Sequence, residues 1–251
     1  MRSLANFLQT NIIERATISV IFASFLLLFA SCTKEYYPKQ FPPVQSCPNL
    51  PVVMYGGEEY PTVLIENQCW MAKNLNIGTM ISDSLNMTDN GLIEKYCYDG
   101  DTTNCKIFGG LYQWDEAMQY KSEEGTRGIC PEGWHIPTNR EFVDLFIYAE
   151  NFHEYLIDNQ DTLWKDLGYS KNFNLTGFSA IPAGSSYYLY DNYDLKIYYY
   201  GLQENAVFWC SKEMDDDVAI YFLTPYPTSI PLDGLFSNKK KGFSIRCVKD
   251  E

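Results

Sequence analysis

An apolar segment that ends at Cys32 determines which part of this chain folds and in which compartment. Residues 17–30 carry no charge, Arg2 and Arg15 precede them, and two small residues stand directly before the cysteine. A helix that crosses a bilayer needs about 20 apolar residues, so this run of 14 residues fits the apolar region of a signal peptide better than a permanent anchor. We therefore expect residues 1–31 to be removed on export.

Cys32 is the predicted attachment point of a lipid. Residues 29–32 read Phe-Ala-Ser-Cys and resemble a lipobox, with Phe29 where leucine is usual. The next residues, Thr-Lys-Glu, resemble the signals that direct lipoproteins to the outer face of the outer membrane. We expect an outer-membrane lipoprotein at the cell surface, held to the membrane by lipid on Cys32. Ordinary secretion with a free or paired Cys32 thiol, or an uncleaved anchor, are the alternatives.

Composition describes the exported part of the chain. Residues 32–51 are rich in proline and lack periodicity, which predicts an extended tether, and residues 52–251 are long enough for one domain. The 20 Tyr, 15 Phe and 5 Trp favour short strands and ordered loops. The formal net charge of −13 argues against nucleic acid as a partner, because phosphate binding needs a basic surface.

Seven cysteines follow Cys32, and an oxidising compartment lets them pair. Cys97 and Cys105 enclose a turn-rich loop, whereas Cys130 and Cys247 enclose the most motif-rich half of the domain. The predicted disulfides are Cys97–Cys105, Cys130–Cys247 and, third, Cys47–Cys69. Cys210 is then left over. No Cys-x-x-Cys or Cys-x-x-His ligand pair is present, which argues against zinc. We predict neither a metal nor another cofactor. Residues 215–217 are three aspartates, which we interpret as a solvated loop.

Hydrophobic periodicity predicts two helices. Leu111, Trp114 and Met118 have helical spacing. Thr138 and Glu141 form a capping-box pattern before a second amphipathic segment. Short aromatic segments later in the chain predict an antiparallel sheet with long loops; they are residues 173–180, 187–190, 197–202, 207–210, 218–223 and 243–248. This pattern of helices and strands indicates an α+β fold.

Six segments of the chain carry distinctive motifs. They are residues 68–75 (QCWMAKNL), 110–118 (GLYQWDEAM), 129–138 (ICPEGWHIPT), 176–184 (TGFSAIPAG), 208–209 (FW) and 242–250 (GFSIRCVKD). In this order they resemble the successive blocks of the Fibrobacter succinogenes major paralogous domain, a family of secreted proteins and lipoproteins of Bacteroidetes and relatives. The resemblance implies a C-type-lectin-like fold, with two helices packed on small, mostly antiparallel sheets with long ordered loops, and it implies no settled activity.

Several residues within these segments have a physical interpretation of their own. The four tryptophans of the motifs are predicted core anchors. We expect His135 to be a neutral histidine bonded to the backbone. Arg246, on the last predicted strand, is expected to be a buried cation paired with an acid, Glu116 or Glu141.

The first functional hypothesis is a non-catalytic binding domain. Aromatic faces stack on sugar rings, and the candidate ligand-binding residues are Tyr187, Tyr188, Tyr190 and Tyr193; carbohydrate is the candidate ligand. The alternative is that about half of the neighbouring tyrosines, above all those at residues 198–200, are strand residues packed in the sheet. A structural or adhesion component that contacts other surface proteins is the second hypothesis.

We do not predict an enzyme. The fold that the resemblance implies is shared with an oxidase that uses reactive cysteines, and that chemistry needs an accessible thiolate of low pKa. Cys210 is the only unpaired candidate, and no adjacent histidine or basic pair supports it.

Three short patterns resemble the Asp-Ser/Thr acceptors of bacterial protein O-glycosylation. They predict Ser84, Thr102 and Thr162 as modification sites in loops of an exported chain.

Overall fold

The computed structural model describes residues 39–150, 152–158, 163–165, 174–191, 194–224 and 235–251. The predicted signal peptide, Cys32, Thr162 and Tyr193 lie outside the described residues. The strands are β1 (Val52–Tyr55), β2 (Glu58–Ile65), β3 (Gln68–Met71), β4 (Thr79–Met80), β5 (Glu94–Lys95), β6 (Trp134–His135), β7 (Ser185–Asp191), β8 (Asp194–Tyr200), β9 (Ala206–Glu213), β10 (Val218–Thr224), β11 (Leu235–Asn238) and β12 (Val248–Lys249). The α-helices are α1 (Thr102–Phe108), α2 (Trp114–Ala117) and α3 (Asn139–Tyr148), and Tyr98–Gly100 and His153–Tyr155 form 3₁₀ turns.

The strands form small sheets that are mostly antiparallel. The largest has the order β1-β2-β3-β12-β6, so the last strand of the chain lies between β3 and β6. A second sheet has the order β11-β10-β9, β7 and β8 form a hairpin, and β4 pairs with β5 in parallel. Few helices and antiparallel sheets confirm the α+β class.

The compact unit begins before the predicted boundary at Val52 and spans Phe41–Glu251. Cys47 is bonded to Cys69, and the Leu64 amide donates to the Gln45 carbonyl at 2.9 Å. The end of the predicted tether is therefore part of the domain, because a disulfide and a backbone hydrogen bond hold it against β2 and β3.

The capping box predicted before α3 is present. The Glu141 amide donates to the Thr138 hydroxyl oxygen at 3.2 Å, and the Thr138 amide donates to the Glu141 carboxylate at 2.7 Å. The two bonds satisfy donors that a helix N-terminus leaves unpaired. Phe142 and Phe146, on the buried face, both stack on Phe222 of β10, so the cap and the apolar stripe fix α3 against the second sheet.

The four motif tryptophans are core residues, as predicted. Trp70, Trp114, Trp134 and Trp209 are each at most 4% exposed. Trp114 Nε1 donates to the Cys210 carbonyl at 2.8 Å, and Trp209 Nε1 donates to the Tyr112 carbonyl at 2.9 Å. These rings therefore both fill the interior and tie loops to β9.

Residues 174–180 form turns instead of the predicted strand. Gly177 and Ser179 have positive φ values of 79° and 54°, which a strand does not accommodate. The carbonyls of Phe178 and Ser179 accept hydrogen bonds from the Arg246 guanidinium at 2.6 and 2.7 Å. This segment is thus a loop, and one buried cation binds two of its carbonyls.

The acid partner predicted for Arg246 was wrong. The guanidinium is fully buried and donates to the Asn74 side chain at 2.6 Å and to three backbone carbonyls, the third being that of Met71. Glu116 is itself buried and accepts from the Tyr120 hydroxyl at 2.8 Å, while Glu141 caps α3. Carbonyl oxygens and the Asn74 side chain therefore accept the hydrogen bonds of this cation. Burial lowers the pKa of Arg246, and the acid whose charge acts against this is Asp158.

The loop between Cys97 and Cys105 contains α1, which the turn-rich sequence did not predict. Asp101 is the N-cap, and its carboxylate accepts from the Thr103 amide at 2.8 Å. A good N-cap stabilises a helix by about 1 kcal/mol, which helps this short helix to form.

Among the described residues, none of the helices has the length and apolarity that spanning a bilayer requires.

Candidate functional site

The hairpin of β7 and β8 has one face toward the core and one toward the outside. Ser186 and Ile197 are on the core face and are 1% and 3% exposed. On the other face the register pairs Tyr187 with Tyr198, and these two rings stack at 5.7 Å between centroids. Alternation along the strands therefore places an aromatic stripe on the outer face.

This outer face borders a groove of about 630 Å³, a size typical of small-ligand sites. The hairpin contributes one part of its lining, and Asn205, strands β9 and β10, the end of β11 and the segment that follows it contribute the rest. The lining residues are Ser185, Tyr187, Tyr188, Leu189, Tyr200, Asn205, Val207, Tyr221, Asn238, Lys241 and Phe243.

Backbone hydrogen bonds hold the walls of the groove together. The Ser186 amide donates to the Gly242 carbonyl at 2.9 Å, and the Gly242 amide donates back to the Ser186 carbonyl at 3.0 Å. A Cβ atom at position 242 would clash with the Ser186 hydroxyl oxygen. Glycine at this position therefore lets the hairpin approach the last segment of the chain closely.

The aromatic lining combines buried and exposed rings. Tyr221 packs on Phe243 at 5.0 Å between centroids, and Phe243 is 3% exposed. Tyr200 is 61% exposed, although the run that contains it was interpreted as packed strand residues. The groove is thus lined by aromatic rings that pack on each other and by one tyrosine ring that is largely exposed to solvent.

The predicted ligand-binding tyrosines have different positions. Tyr187 lines the groove from the outer face of the hairpin, and Tyr188 lines it too but is half-buried and packs against a core cluster. The side chain of Tyr190 is outside the described part of the chain, like all of Tyr193. Tyr200 was interpreted instead as a packed strand residue, although strand alternation from Tyr187 and the hairpin register could have indicated its exposure.

The polar lining residues are Ser185, Asn205, Asn238 and Lys241. The Asn238 side-chain oxygen accepts from the Lys240 amide at 2.9 Å, and the Lys241 amide donates to the Asn238 carbonyl at 3.1 Å. These bonds fix the turn after β11. A few oriented polar groups among aromatic rings are typical of ligand sites.

The three predicted disulfides are present. Cys47–Cys69, Cys97–Cys105 and Cys130–Cys247 have Cα–Cα distances of 5.7, 5.1 and 6.0 Å. The third joins the segment before β6 to the segment before β12. It therefore links the segments that lead into two neighbouring strands of the largest sheet, β6 and β12.

Cys210 is the free cysteine of the described residues, and it is buried. Burial raises the pKa of its thiol to about 12, because a charged thiolate is poorly solvated in an apolar environment. The thiol is therefore protonated at neutral pH. This geometry gives no support to the oxidase-like alternative.

The expectation that His135 bonds to the backbone was wrong. Its Nε2 lies 3.0 Å from the Glu141 carboxylate, and its Nδ1 lies 2.7 Å from Asp250. A neutral imidazole has only one N–H, so donating to both acids requires the cation. Burial alone would lower the pKa of His135, but the two carboxylates outweigh it and raise the pKa.

No cluster of three or more side chains with metal-ligand chemistry occurs among the described residues. The Asp215 carboxylate accepts from the amides of Asp217 and Val218 at 2.9 Å, as in an ordinary turn.

Two of the predicted O-glycosylation residues are at the surface. Ser84 and Thr102 are both exposed, and the Ser84 hydroxyl is 2.9 Å from that of Ser82. Their modification stays a prediction.

Comparison with known proteins places the groove inside a known domain. No curated protein and no solved structure matches the chain. The Fibrobacter succinogenes major domain matches residues 63–249, a range that contains every residue lining the groove. The recognition made from the sequence motifs is confirmed: the chain belongs to the family of the Fibrobacter succinogenes major domain.

Proposed function

We propose that this chain is an exported, lipid-anchored cell-surface protein whose domain binds carbohydrate in the groove between the β7–β8 hairpin and the second sheet. The observation that carries the proposal is the combination of tyrosine rings and oriented polar side chains in one open groove. Sugar rings have apolar C–H faces that stack on aromatic rings, and hydroxyl groups around their edges that need hydrogen-bond partners.

The shape of the groove supports an extended ligand. Tyr200, at the edge, is largely exposed, whereas Tyr221 and Phe243 pack against each other deeper in the wall. A chain of sugar units can stack on the exposed ring while neighbouring units contact Asn205 and Asn238. The proposal includes a C-type-lectin-like arrangement, which the pairing of the last strand with β3 and β6 supports.

Export and lipid attachment rest on the sequence around Cys32. The apolar run before it, the small residues at its N-terminal side and the proline-rich segment after it support a lipoprotein tethered to the outer membrane. The three disulfides agree with an oxidising compartment. Metabolic labelling with a radioactive fatty acid tests this part, and labelling that persists in Cys32→Ser would contradict it.

Binding of the purified full chain to a broad glycan and polysaccharide array tests the carbohydrate function. We expect reproducible binding that Tyr200→Ala weakens by at least about fivefold, because an exposed aromatic platform loses its whole stacking area. Phe152→Ala is the matched control, since Phe152 is a partly exposed aromatic residue that does not line the groove. No binding to any glycan on the array, or an equal loss of affinity in both variants, would contradict the proposal.

A protein partner is the second candidate. Phe236, on edge strand β11, is 71% exposed, and Leu189, on the hairpin, is 52% exposed. Large exposed apolar side chains are typical of protein contacts. This adhesion or assembly role predicts that Phe236→Ser, and not Tyr200→Ala, abolishes attachment of the protein to a partner cell surface.

A further inference from the structure

The groove differs in charge from the rest of the protein. The whole chain has 32 acidic and 19 basic side chains. None of the described residues that line the groove is acidic, and one of them, Lys241, is basic. An acidic protein repels polyanions at long range. A positive charge inside its groove therefore indicates a ligand that carries negative charge at that point.

Lys241 is the last of three consecutive lysines, and the other two have acidic partners. The Lys239 ammonium is buried, lies 2.6 Å from the Glu213 carboxylate and sits over the Trp114 ring at 4.4 Å. The Lys240 ammonium lies 3.8 Å from Asp115.

Lys241 has no such partner. Within the described residues, its ammonium makes no ion pair or side-chain hydrogen bond, although the residue is half-buried. Its charge is therefore available to a ligand, whereas those of its two neighbours are compensated inside the protein.

The groove also offers hydrogen-bond donors. The Asn238 oxygen is occupied by the Lys240 amide, which leaves the side-chain NH₂ group as its polar function toward other partners. The Asn205 side chain makes no hydrogen bond within the described part of the chain and also lines the groove. Donors beside a free ammonium suit an acceptor-only anionic group such as a carboxylate.

A second ammonium lies beside the aromatic stripe. Lys196 is exposed and pairs in register with Leu189, which lines the groove. Its Nζ atom is 5.6 Å from the centre of the Tyr198 ring, which in turn stacks on Tyr187. Positive charge is thus present on the hairpin side as well as at the turn after β11.

We infer that the groove binds saccharides that carry carboxylate groups, that is, uronic-acid chains, with Lys241 as the main counter-charge and Tyr200 as the stacking platform. The inference rests on the proposed carbohydrate function and narrows its ligand class. The sugar rings supply the apolar faces that the tyrosines need, and the carboxylates supply the negative charge that Lys241 needs.

Polygalacturonate and its fully methyl-esterified form test this inference, because the two polymers share one backbone and differ in charge. We expect the full chain to bind polygalacturonate about tenfold more tightly in low salt, since charge-assisted hydrogen bonds are stronger than neutral ones. We expect this preference to fall in 0.5 M salt, because salt screens the attraction between charges. The screening length is already roughly 10 Å at about 0.1 M salt and is shorter at higher concentrations.

Lys241→Met is the decisive variant. It is expected to lose most of the tenfold preference for polygalacturonate, and an unfolding midpoint close to that of the unmodified protein shows that the variant is folded. Lys106→Met is the matched control, because Lys106 is exposed on α1, outside the groove, and the change in net charge is the same. The control is expected to behave like the unmodified protein.

The outcomes separate this inference from the proposed function. Equal binding of both polymers, unaffected by Lys241→Met but weakened by Tyr200→Ala, leaves a carbohydrate groove and overturns the carboxylate preference. Binding of neither polymer also overturns it, and the glycan array then decides the proposed function by itself. Equally tight binding of poly-L-glutamate would show a general polyanion site and contradict the saccharide assignment.

Discussion

The imidazole of His135 binds the side chain of Asp250, with 2.7 Å between Nδ1 and the carboxylate oxygen, and so attaches the end of the chain to strand β6. On its other side the ring contacts Glu141 at the start of α3. The cation therefore joins three parts of the domain: the last residues, β6 and the capping box of α3.

This cluster predicts a pH-dependent stability. The pKa of His135 is raised, so its contribution is full below the unfolded value of about 6.5 and is lost as the pH rises through the folded pKa. Burial opposes ionisation of Glu141, but the hydrogen bond from His135 and those from Thr138 lower its pKa. The Glu141 contribution is therefore full above the unfolded value of 4.5 and is lost as the pH falls through the folded pKa.

His135→Gln tests this cluster by urea unfolding at several pH values. We expect the variant to be less stable than the unmodified protein by about 1.5–3 kcal/mol near pH 6, as for hydrogen bonds to charged groups, and the difference to shrink toward pH 9. A difference that stays constant or grows with pH would rule out the cationic form.

Arg246 predicts a large effect of one buried side chain on stability. Burial lowers the pKa of its guanidinium to about 9, so it remains charged at neutral pH while three carbonyls and Asn74 accept its hydrogen bonds. Arg246→Met leaves these buried acceptors unpaired. We expect a loss of about 3–5 kcal/mol in the free energy of unfolding.

Arg140→Met is the matched control for that measurement. Arg140 pairs with Asp144 one turn along α3, and its side chain is 78% exposed. We expect a change below about 0.5 kcal/mol. Similar losses in the two variants would contradict a special role for the buried guanidinium.

The disulfides predict different losses on removal because they close loops of different length. Cys130 and Cys247 are 117 residues apart, and Cys97 and Cys105 are 8 apart. In the chain-entropy description, removal of the first pair as a double alanine variant costs about 5 kcal/mol and removal of the second about 2.5 kcal/mol. Equilibrium unfolding measures both, and a larger loss for the short loop would refute this order.

Cys210 predicts a thiol that reacts only when the domain opens. A buried thiol with a pKa of about 12 has almost no thiolate at pH 7.5. In the Cys32→Ser variant, which removes the other cysteine outside the three disulfides, we expect modification by a maleimide to follow the rate of unfolding, with a strong acceleration in urea. Rapid stoichiometric labelling of the native protein would show that the thiol is accessible and would revive the redox alternative.

The parts of the fold that local sequence determines were predictable. Thr138 and Glu141 predict the start of α3, because a capping box is formed by two residues that are three positions apart. The pairing of Cys97 with Cys105 follows from a short turn-rich loop. The resemblance of the motifs to a known family identified the domain, and the α+β class followed from the predicted helices and strands.

Tertiary contacts decide the remaining features. Residues 174–180 were predicted as part of a strand, but three of them have positive φ values, and the Arg246 guanidinium binds two of their carbonyls. The exposure of Tyr200 depends on which face of the hairpin packs on the core, and Ser186 and Ile197 determine that face. Burial lowers the pKa of His135, but the carboxylates of Glu141, 6 positions away, and Asp250, 115 positions away, outweigh it and raise the pKa. Arg246 and Asp250 are far in the sequence from the residues that they bind, so no local pattern indicates them.

The most direct test of the central claim is a titration of the ¹⁵N-labelled protein with a galacturonic acid hexamer, followed by amide chemical shifts. The account predicts saturable shifts at Tyr187, Tyr200, Asn205 and Lys241, with little change at Phe152 and at the amides of α3. Saturable shifts that cluster away from the groove, or no shifts at millimolar hexamer, would contradict a groove for uronic-acid chains at the β7–β8 hairpin.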